Sequence, residues 1–202
     1  MDMQFGMEFT SDWFSHNIPT WEKLWPMMKP TRVLEIGSYE GRSSCWFIDK
    51  LAGVPGAELH CIDPWLYEGG HVERRFRANV QAATKAPGAP VVHAYKERSD
   101  LRMARMLVEG GRDSFDLVYV DGAHEAHEVL SDVVLAFKLV RVGGFMILDD
   151  YWWTPPEKRN VLESPKAALD AFTTIYFDRL RAIDGQPMYQ LYLQKVRGLD
   201  HQ

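Results

Sequence analysis

The segment Val33-Leu34-Glu35-Ile36-Gly37-Ser38-Tyr39-Glu40-Gly41-Arg42-Ser43-Ser44 constrains the fold more than any other part of the chain. An apolar, β-branched run closes on an acid. A turn with glycines at 37 and 41 follows, then a helix start made of small residues. A strand that enters a helix through so short a turn belongs to a parallel, helix-covered sheet. The first turn of such a helix presents unpaired N–H groups and positive partial charge, which suit a carboxylate or phosphate. Gly37 and Gly41 remove the Cβ atoms that would hold a ligand away from the backbone. The dinucleotide fingerprint G-x-G-x-x-G is not met, because residue 39 is tyrosine. A tight turn with no ligand also accounts for the glycines.

The rest of the chain repeats the alternation. The pattern predicts strands near Arg32–Ile36, Glu58–Ile62, Pro90–Ala94, Phe115–Val120 and Phe145–Leu148. Helices are expected over Arg42–Leu51, Val72–Ala83, Leu101–Glu109 and Ala126–Val140, the last stopped by Gly143-Gly144. One more helix is expected at about Lys166–Tyr176. Two closing runs, Leu180–Ile183 and Met188–Val196, flank Asp184-Gly185 and predict an antiparallel hairpin. Residues 1–30, with Trp13, Trp21 and Trp25, read as a helical lead-in packing on the sheet or over the site, with ordinary packing the preferred role of the three tryptophans. No repeat, low-complexity tract or linker divides residues 1–202, so one domain is expected.

Composition excludes several classes. A net charge of −5 leaves no basic footprint for a nucleic-acid backbone. No apolar run is long enough to span a membrane. The opening Met1–Gly6 lacks the order of a signal peptide, and Cys45 and Cys61 read as isolated, reduced, buried thiols, so a cytoplasmic location is expected.

Acids recur at the ends of the predicted strands. Asp63 ends the second, about 20 residues beyond the glycine turn, where an acid can accept from both hydroxyls of a ribose. A helix cap or Asx turn before Pro64 is the other reading. Asp121 ends the fourth strand, and Asp149-Asp150 the fifth. Neighbouring parallel strands bring their ends together, and three close carboxylates repel unless they bind protons or a cation. Oxygen-only ligands suit Mg²⁺; separate caps and solvated turns are the alternative.

Together, Glu35-Ile36-Gly37-Ser38-Tyr39-Glu40-Gly41-Arg42-Ser43, Asp63, Asp121-Gly122-Ala123-His124 and Gly143-Gly144 through Asp149-Asp150-Tyr151 resemble the class I S-adenosylmethionine-dependent methyltransferases. The spelling is similar to the macrocin- and novobiocin-type O-methyltransferases and, more distantly, to catechol O-methyltransferase. The resemblance implies an α/β, Rossmann-like fold: a seven-stranded, mostly parallel sheet with a C-terminal antiparallel hairpin and helices on both faces. It implies S-adenosylmethionine against Glu35, Gly37, Ser38, Tyr39, Gly41 and Ser43. Tyr39 and Ser43 would hold the methionine end, Asp63 the ribose and Ser99 the adenine, with Asp121 also at the cofactor. It implies Mg²⁺ on Asp121, Asp149 and Asp150, and O-methylation of a small-molecule acceptor.

The chain departs from these relatives in places. Lys96-Glu97-Arg98 replaces the usual glycine-containing sequence before Ser99. The novobiocin-type base falls at Ala123, and a frequent tyrosine at Ala126. His124 stands where the catechol-type enzymes place a catalytic lysine, and histidine deprotonates a hydroxyl at neutral pH; capping the next helix is the other role open to it. His124 and Asp121 are therefore the catalytic candidates. His124-Glu125-Ala126-His127-Glu128 is no zinc-protease helix, since its second histidine is one residue early. Tyr151 and Trp152, beside the acidic pair, are candidates for an acceptor wall, whereas Arg74, Arg75 and Arg77 read as a solvated helix face. A metal-independent methyltransferase, a cofactor-binding protein without transfer activity and a nicotinamide-dependent oxidoreductase are the rival functions. A homo-oligomeric state stays open.

Overall fold

The computed structural model describes residues 6–155, 157 and 160–199. Seven strands form one sheet: β1 (Arg32–Ile36), β2 (Glu58–Ile62), β3 (Val91–Tyr95), β4 (Phe115–Val120), β5 (Val140–Leu148), β6 (Leu180–Ala182) and β7 (Leu191–Lys195). Their order is β3-β2-β1-β4-β5-β7-β6. β1 to β5 pair in parallel, and β7 runs antiparallel to both β5 and β6. This is the Rossmann-like topology of class I methyltransferases.

Alternation along each strand decides which helices cover which face. Val33 of β1, Leu59 and Cys61 of β2, and Leu117 and Tyr119 of β4 pack with α1 (Ile18–Met28), α2 (Arg42–Leu51) and α3 (His71–Ala83). Leu34 and Ile36, Ile62, and Val118 and Val120 pack on the other face. There they meet α4 (Ser99–Val108), α5 (Ala126–Leu139) and α6 (Lys166–Ile175). β1 sits between β2 and β4, so the chain turns in opposite directions on leaving it. That switch point opens a crevice beyond the carboxyl ends of the strands.

Two expectations change at the α5–β5 junction. α5 ends at Leu139, and Gly143-Gly144 lie inside β5 rather than between helix and strand. The β4–β5 register shifts between Phe115 and Leu117, where the glycines make a bulge. Gly143 has φ +81°, and a Cβ on Gly144 would lie 2.9 Å from the Asp116 carbonyl oxygen. The three lead-in tryptophans also divide. Trp21 is fully buried against Tyr119 of β4, as expected, while Trp25 meets Trp46 of α2 edge-on at 5.1 Å. Trp13 is 68% exposed and leans on Tyr39 instead, ring centroids 5.0 Å apart.

Candidate active site

The crevice is a cleft of about 770 Å³, and its floor is built from strand ends. Main-chain bonds hold those ends together. Gly37 N–H donates to the Ile62 carbonyl (2.9 Å) and Asp121 N–H to the Ile36 carbonyl (2.8 Å). Gly37 carries φ +84°, and a Cβ there would fall 1.9 Å from the Asp121 carbonyl oxygen. Only glycine allows β1 to turn this close to β4.

Of the residues expected at the cofactor, Gly37, Ser38, Tyr39, Ser43, Asp63, Ser99 and Asp121 line the cleft; Glu35 and Gly41 do not. Glu35 is fully buried beneath the glycine turn. It accepts hydrogen bonds from Ser38 Oγ (2.8 Å), Ser43 Oγ (2.5 Å) and Ser44 Oγ. Burial raises its pKa, and the three hydroxyls oppose that shift. Glu35 therefore shapes the turn from below. Gly41, at φ +82°, starts α2 against the ring of Phe76, 3.0 Å from where its Cβ would stand.

Asp63 lines the cleft with most of its carboxylate already engaged. Oδ2 accepts from the N–H groups of Ser38 (3.0 Å) and Tyr39 (2.9 Å), and Oδ1 from that of Trp65 (2.7 Å). Burial nevertheless keeps its pKa raised. The acid ties the glycine turn to the end of β2, and Oδ1, with one donor, keeps acceptor capacity. Ser99 sits at the start of α4 and donates to Asp132 of α5 (2.6 Å). Asp132 is a lining residue the sequence reading missed; burial pushes its pKa up to about 6.

At the other end of the floor, Asp121, Asp149 and Asp150 all line the cleft with His124. The Tyr119 hydroxyl lies 2.8 Å from Asp121 Oδ2 and in short contact with Asp149 Oδ2. It has one proton, so only one of the two carboxylates can accept from it; the other needs its own proton or a cation. Burial and the charges of Asp149 and Asp150 hold the Asp121 pKa well above the carboxylate range. Gln190 Nε2 donates to Asp149 Oδ2 (2.6 Å), while Gln190 Oε1 accepts from Trp21 Nε1 (2.8 Å) and the Tyr192 hydroxyl (2.5 Å). Tyr119 and Gln190 gave no signal in the sequence, because each sits among strand residues that read as core.

Asp150 points elsewhere. Its backbone is left-handed (φ 60°), and its Oδ2 lies 2.8 Å from His124 Nε2. One oxygen from each of the three aspartates does not fall within 4.8 Å of the others, the spacing of a ready-made metal site. Their chemistry fits a hard cation, while Asp150 is engaged with His124.

The walls are aromatic. Trp13, Tyr39, Tyr67, Trp153 and Tyr189 line the opening, and Trp153 packs on His124 with centroids 4.3 Å apart. Trp153 replaces the expected Trp152, which is 54% exposed and outside the lining. Tyr151 is buried, and its hydroxyl donates to Asp170 (2.7 Å) rather than facing the cleft. The arginines of α3 are partly engaged: Arg75 pairs with the buried Glu40 (3.2 Å) and Arg77 with Glu73 (2.8 Å).

Residues 34–151, more than half of the chain, match the family described as the methyltransferase domain, and the chain belongs to that family. A curated relative, an uncharacterised protein of Acanthamoeba polyphaga mimivirus, is 27% identical over 127 residues. The match covers 60% of this chain and 53% of that protein, so the chain spans about half the length of the relative. Among solved structures, the O-methyltransferase TomG of Streptomyces achromogenes, which is involved in tomaymycin synthesis, superposes with a TM-score of 0.68 at 21% identity. That match covers 93% of this chain and 82% of TomG, which was solved with S-adenosylmethionine. An O-methyltransferase of Bacillus cereus in complex with S-adenosylhomocysteine gives 0.68 at 16% identity, covering 94% and 84%. A Podospora anserina methyltransferase, also with S-adenosylhomocysteine, gives 0.65 at 16%, covering 92% and 80%. At these identities the likeness is one of fold. Among the described residues, no helix is long and apolar enough to cross a membrane.

Proposed function

We propose that the chain is an S-adenosylmethionine-dependent methyltransferase acting on a hydroxyl of a small molecule, with Mg²⁺ at the acidic strand ends. The observation that carries this reading is that one cleft joins a glycine-turn floor to a buried carboxylate group with His124 beside it. S-adenosylmethionine would supply a methyl group already activated on a cationic sulfur, and Mg²⁺ would lower the pKa of an acceptor hydroxyl.

The residues divide the remaining work. Ser38, Tyr39 and Ser43 line the end of the cleft suited to the methionine moiety, Asp63 offers Oδ1 to a ribose hydroxyl, and Ser99 with Asp132 faces the adenine position. Asp121, Asp149 and Asp150 would hold the cation; its charge would replace the second proton that the Tyr119 bridge otherwise demands. Transfer forms an O–C bond and breaks the S–C bond, so the acceptor must lose its proton. His124 would take it, on Nε2 once Asp150 leaves that nitrogen for the cation. Trp13, Tyr67 and Trp153 would wall the acceptor and limit water.

The 2.8 Å contact between His124 and Asp150 favours a second reading within the same fold. There Asp150 orients His124 as a base and no metal takes part. One experiment separates the readings. S-adenosylmethionine is titrated calorimetrically into EDTA-treated protein, and methyl transfer to a panel of phenols, catechols and sugar hydroxyls is then followed with and without Mg²⁺. Binding with Mg²⁺-dependent transfer supports the first reading. Full transfer in EDTA supports the second, and folded protein that binds no cofactor overturns both.

A further inference from the structure

A second group of metal-ligand side chains stands outside the cleft, on the sheet face covered by α4 and α5. Glu58 and His60 alternate along β2 onto the face that carries Leu34 and Ile36. The β2–β3 register then sets His93 directly beside His60. One donor atom from each of Glu58, His60 and His93 lies within 4.8 Å of the other two. Among the described residues, no other His, Cys, Asp and Glu triple does this. His60 Nε2 is 2.9 Å from Glu58 Oε2, and Nδ1 is 3.1 Å from the Tyr95 hydroxyl. The His93 ring stacks on His60, centroids 4.5 Å apart, and has no hydrogen-bond partner among the described residues. A half-buried imidazole without a hydrogen bond has an unused lone pair.

We propose that Glu58, His60 and His93 bind a transition-metal cation of the Zn²⁺ class, at a site separate from the methyl-transfer cleft. Two imidazoles and one carboxylate are a borderline donor set, suited to Zn²⁺ and poorly suited to Mg²⁺. Tetrahedral coordination with bonds of about 2.0–2.1 Å spaces ligand atoms about 3.3 Å apart, so the observed separations need side-chain rotation only. The Tyr95 hydroxyl on Nδ1 is the kind of outer partner that fixes a ligating histidine with its other nitrogen toward the ion. Access is available because β3 is the edge strand and His93 is only partly covered. One group opposes binding: Arg32 Nε donates to Glu58 Oε2 (3.0 Å), a cation already on one ligand. Micromolar rather than nanomolar affinity follows from that competition. A bound ion would cross-link the edge strand to β2, whose far end carries Asp63.

The test uses the full chain without an affinity tag, stripped of metal and titrated with Zn²⁺ against a chromophoric chelator. One zinc per chain at micromolar affinity, with a raised melting temperature, is expected. His93→Ala should weaken binding about tenfold or more, the scale on which even outer partners act, and Glu58→Gln should weaken it as well. Asp149→Asn, which alters only the cleft, should leave it unchanged. No binding by folded protein at about 100 μM Zn²⁺, far above the micromolar range of a weak protein site, overturns the proposal. So does zinc binding that survives both His93→Ala and Glu58→Gln. Should His93→Ala not fold, Glu58→Gln decides alone, since this residue lies at the sheet margin and its substitution keeps shape and volume.

Discussion

Gly37→Ala isolates the close approach on which the cleft depends. The new methyl group would stand 1.9 Å from the Asp121 carbonyl oxygen, 2.5 Å from its carbon and 2.7 Å from Gly122 Cα. All three are backbone atoms, so no rotamer change relieves them. Ordinary contact begins at 3.4 Å, which requires β1 and β4 to separate at their carboxyl ends by about 1.5 Å. The left-handed backbone (φ +84°) costs an alanine about 1–2 kcal/mol, and forced overpacking adds about 1–3 kcal/mol. Separation also strains the bond from Asp121 N–H to the Ile36 carbonyl, which contributes about 1 kcal/mol. The sum is about 3–6 kcal/mol, or a fall in melting temperature of about 6–24 °C for a chain of this size.

Gly56→Ala is the control. Gly56 has φ +69° and nothing within 4 Å of a would-be Cβ, so it carries the backbone strain without the clash. Its melting temperature should fall by about 2–8 °C. Differential scanning calorimetry on both variants, with cofactor titration on each, separates the two contributions. Gly37→Ala should lose cofactor affinity even where it remains folded, and Gly56→Ala should keep it. Equal melting temperatures for the two variants would refute the argument that proximity to Asp121, rather than backbone conformation, makes residue 37 a glycine.

Three further outcomes are expected. Asp132 has a folded pKa of about 6 against an ordinary value of 3.8, so its contribution is fully present below about pH 4 and is lost as pH rises through 6. The loss is about 3 kcal/mol by pH 7 and above, and Asp132→Asn should remove it; parallel melting-temperature curves for variant and wild type from pH 4 to 8 would contradict this. Tyr119→Phe takes away the hydroxyl between Asp121 and Asp149 and should cost about 1–3 kcal/mol where both acids are charged, and less as falling pH lets one of them take a proton; urea unfolding across a pH series measures the difference. His124→Ala should lower kcat by about 10²–10⁴ with little change in S-adenosylmethionine affinity, as calorimetry beside a turnover assay would detect; a turnover within a few-fold of wild type removes the base assignment.

What the sequence disclosed and what it hid differ in range. The strand-turn-helix at residues 33–44 was legible because a glycine turn, an acid and a helix start are local chemistry. The same locality explains why the acids at 63, 121, 149 and 150 could be placed at strand ends before any pairing was known. Failures begin where a residue's role depends on a neighbour far along the chain. Gly143-Gly144 looks like a helix stop from within its own segment. Its bulge is visible only once Asp116 of β4 lies across from Gly144. Tyr119 reads as one more alternating core residue until β4 and β5 bring Asp121 and Asp149 to its hydroxyl. His60 and His93 are 33 positions apart, and only the register of two parallel strands makes them adjacent. Loops add a different uncertainty, since no period fixes where their side chains point, and the wall falls to Trp153 rather than Trp152. The distribution has a physical cause. Turns and caps are selected by the conformations of a few successive residues, whereas buried polar groups are tolerated only where distant elements satisfy them. The acids of this cleft are therefore legible in the sequence, whereas Tyr119 and Gln190, which bond to them, show their importance only after the sheet is assembled.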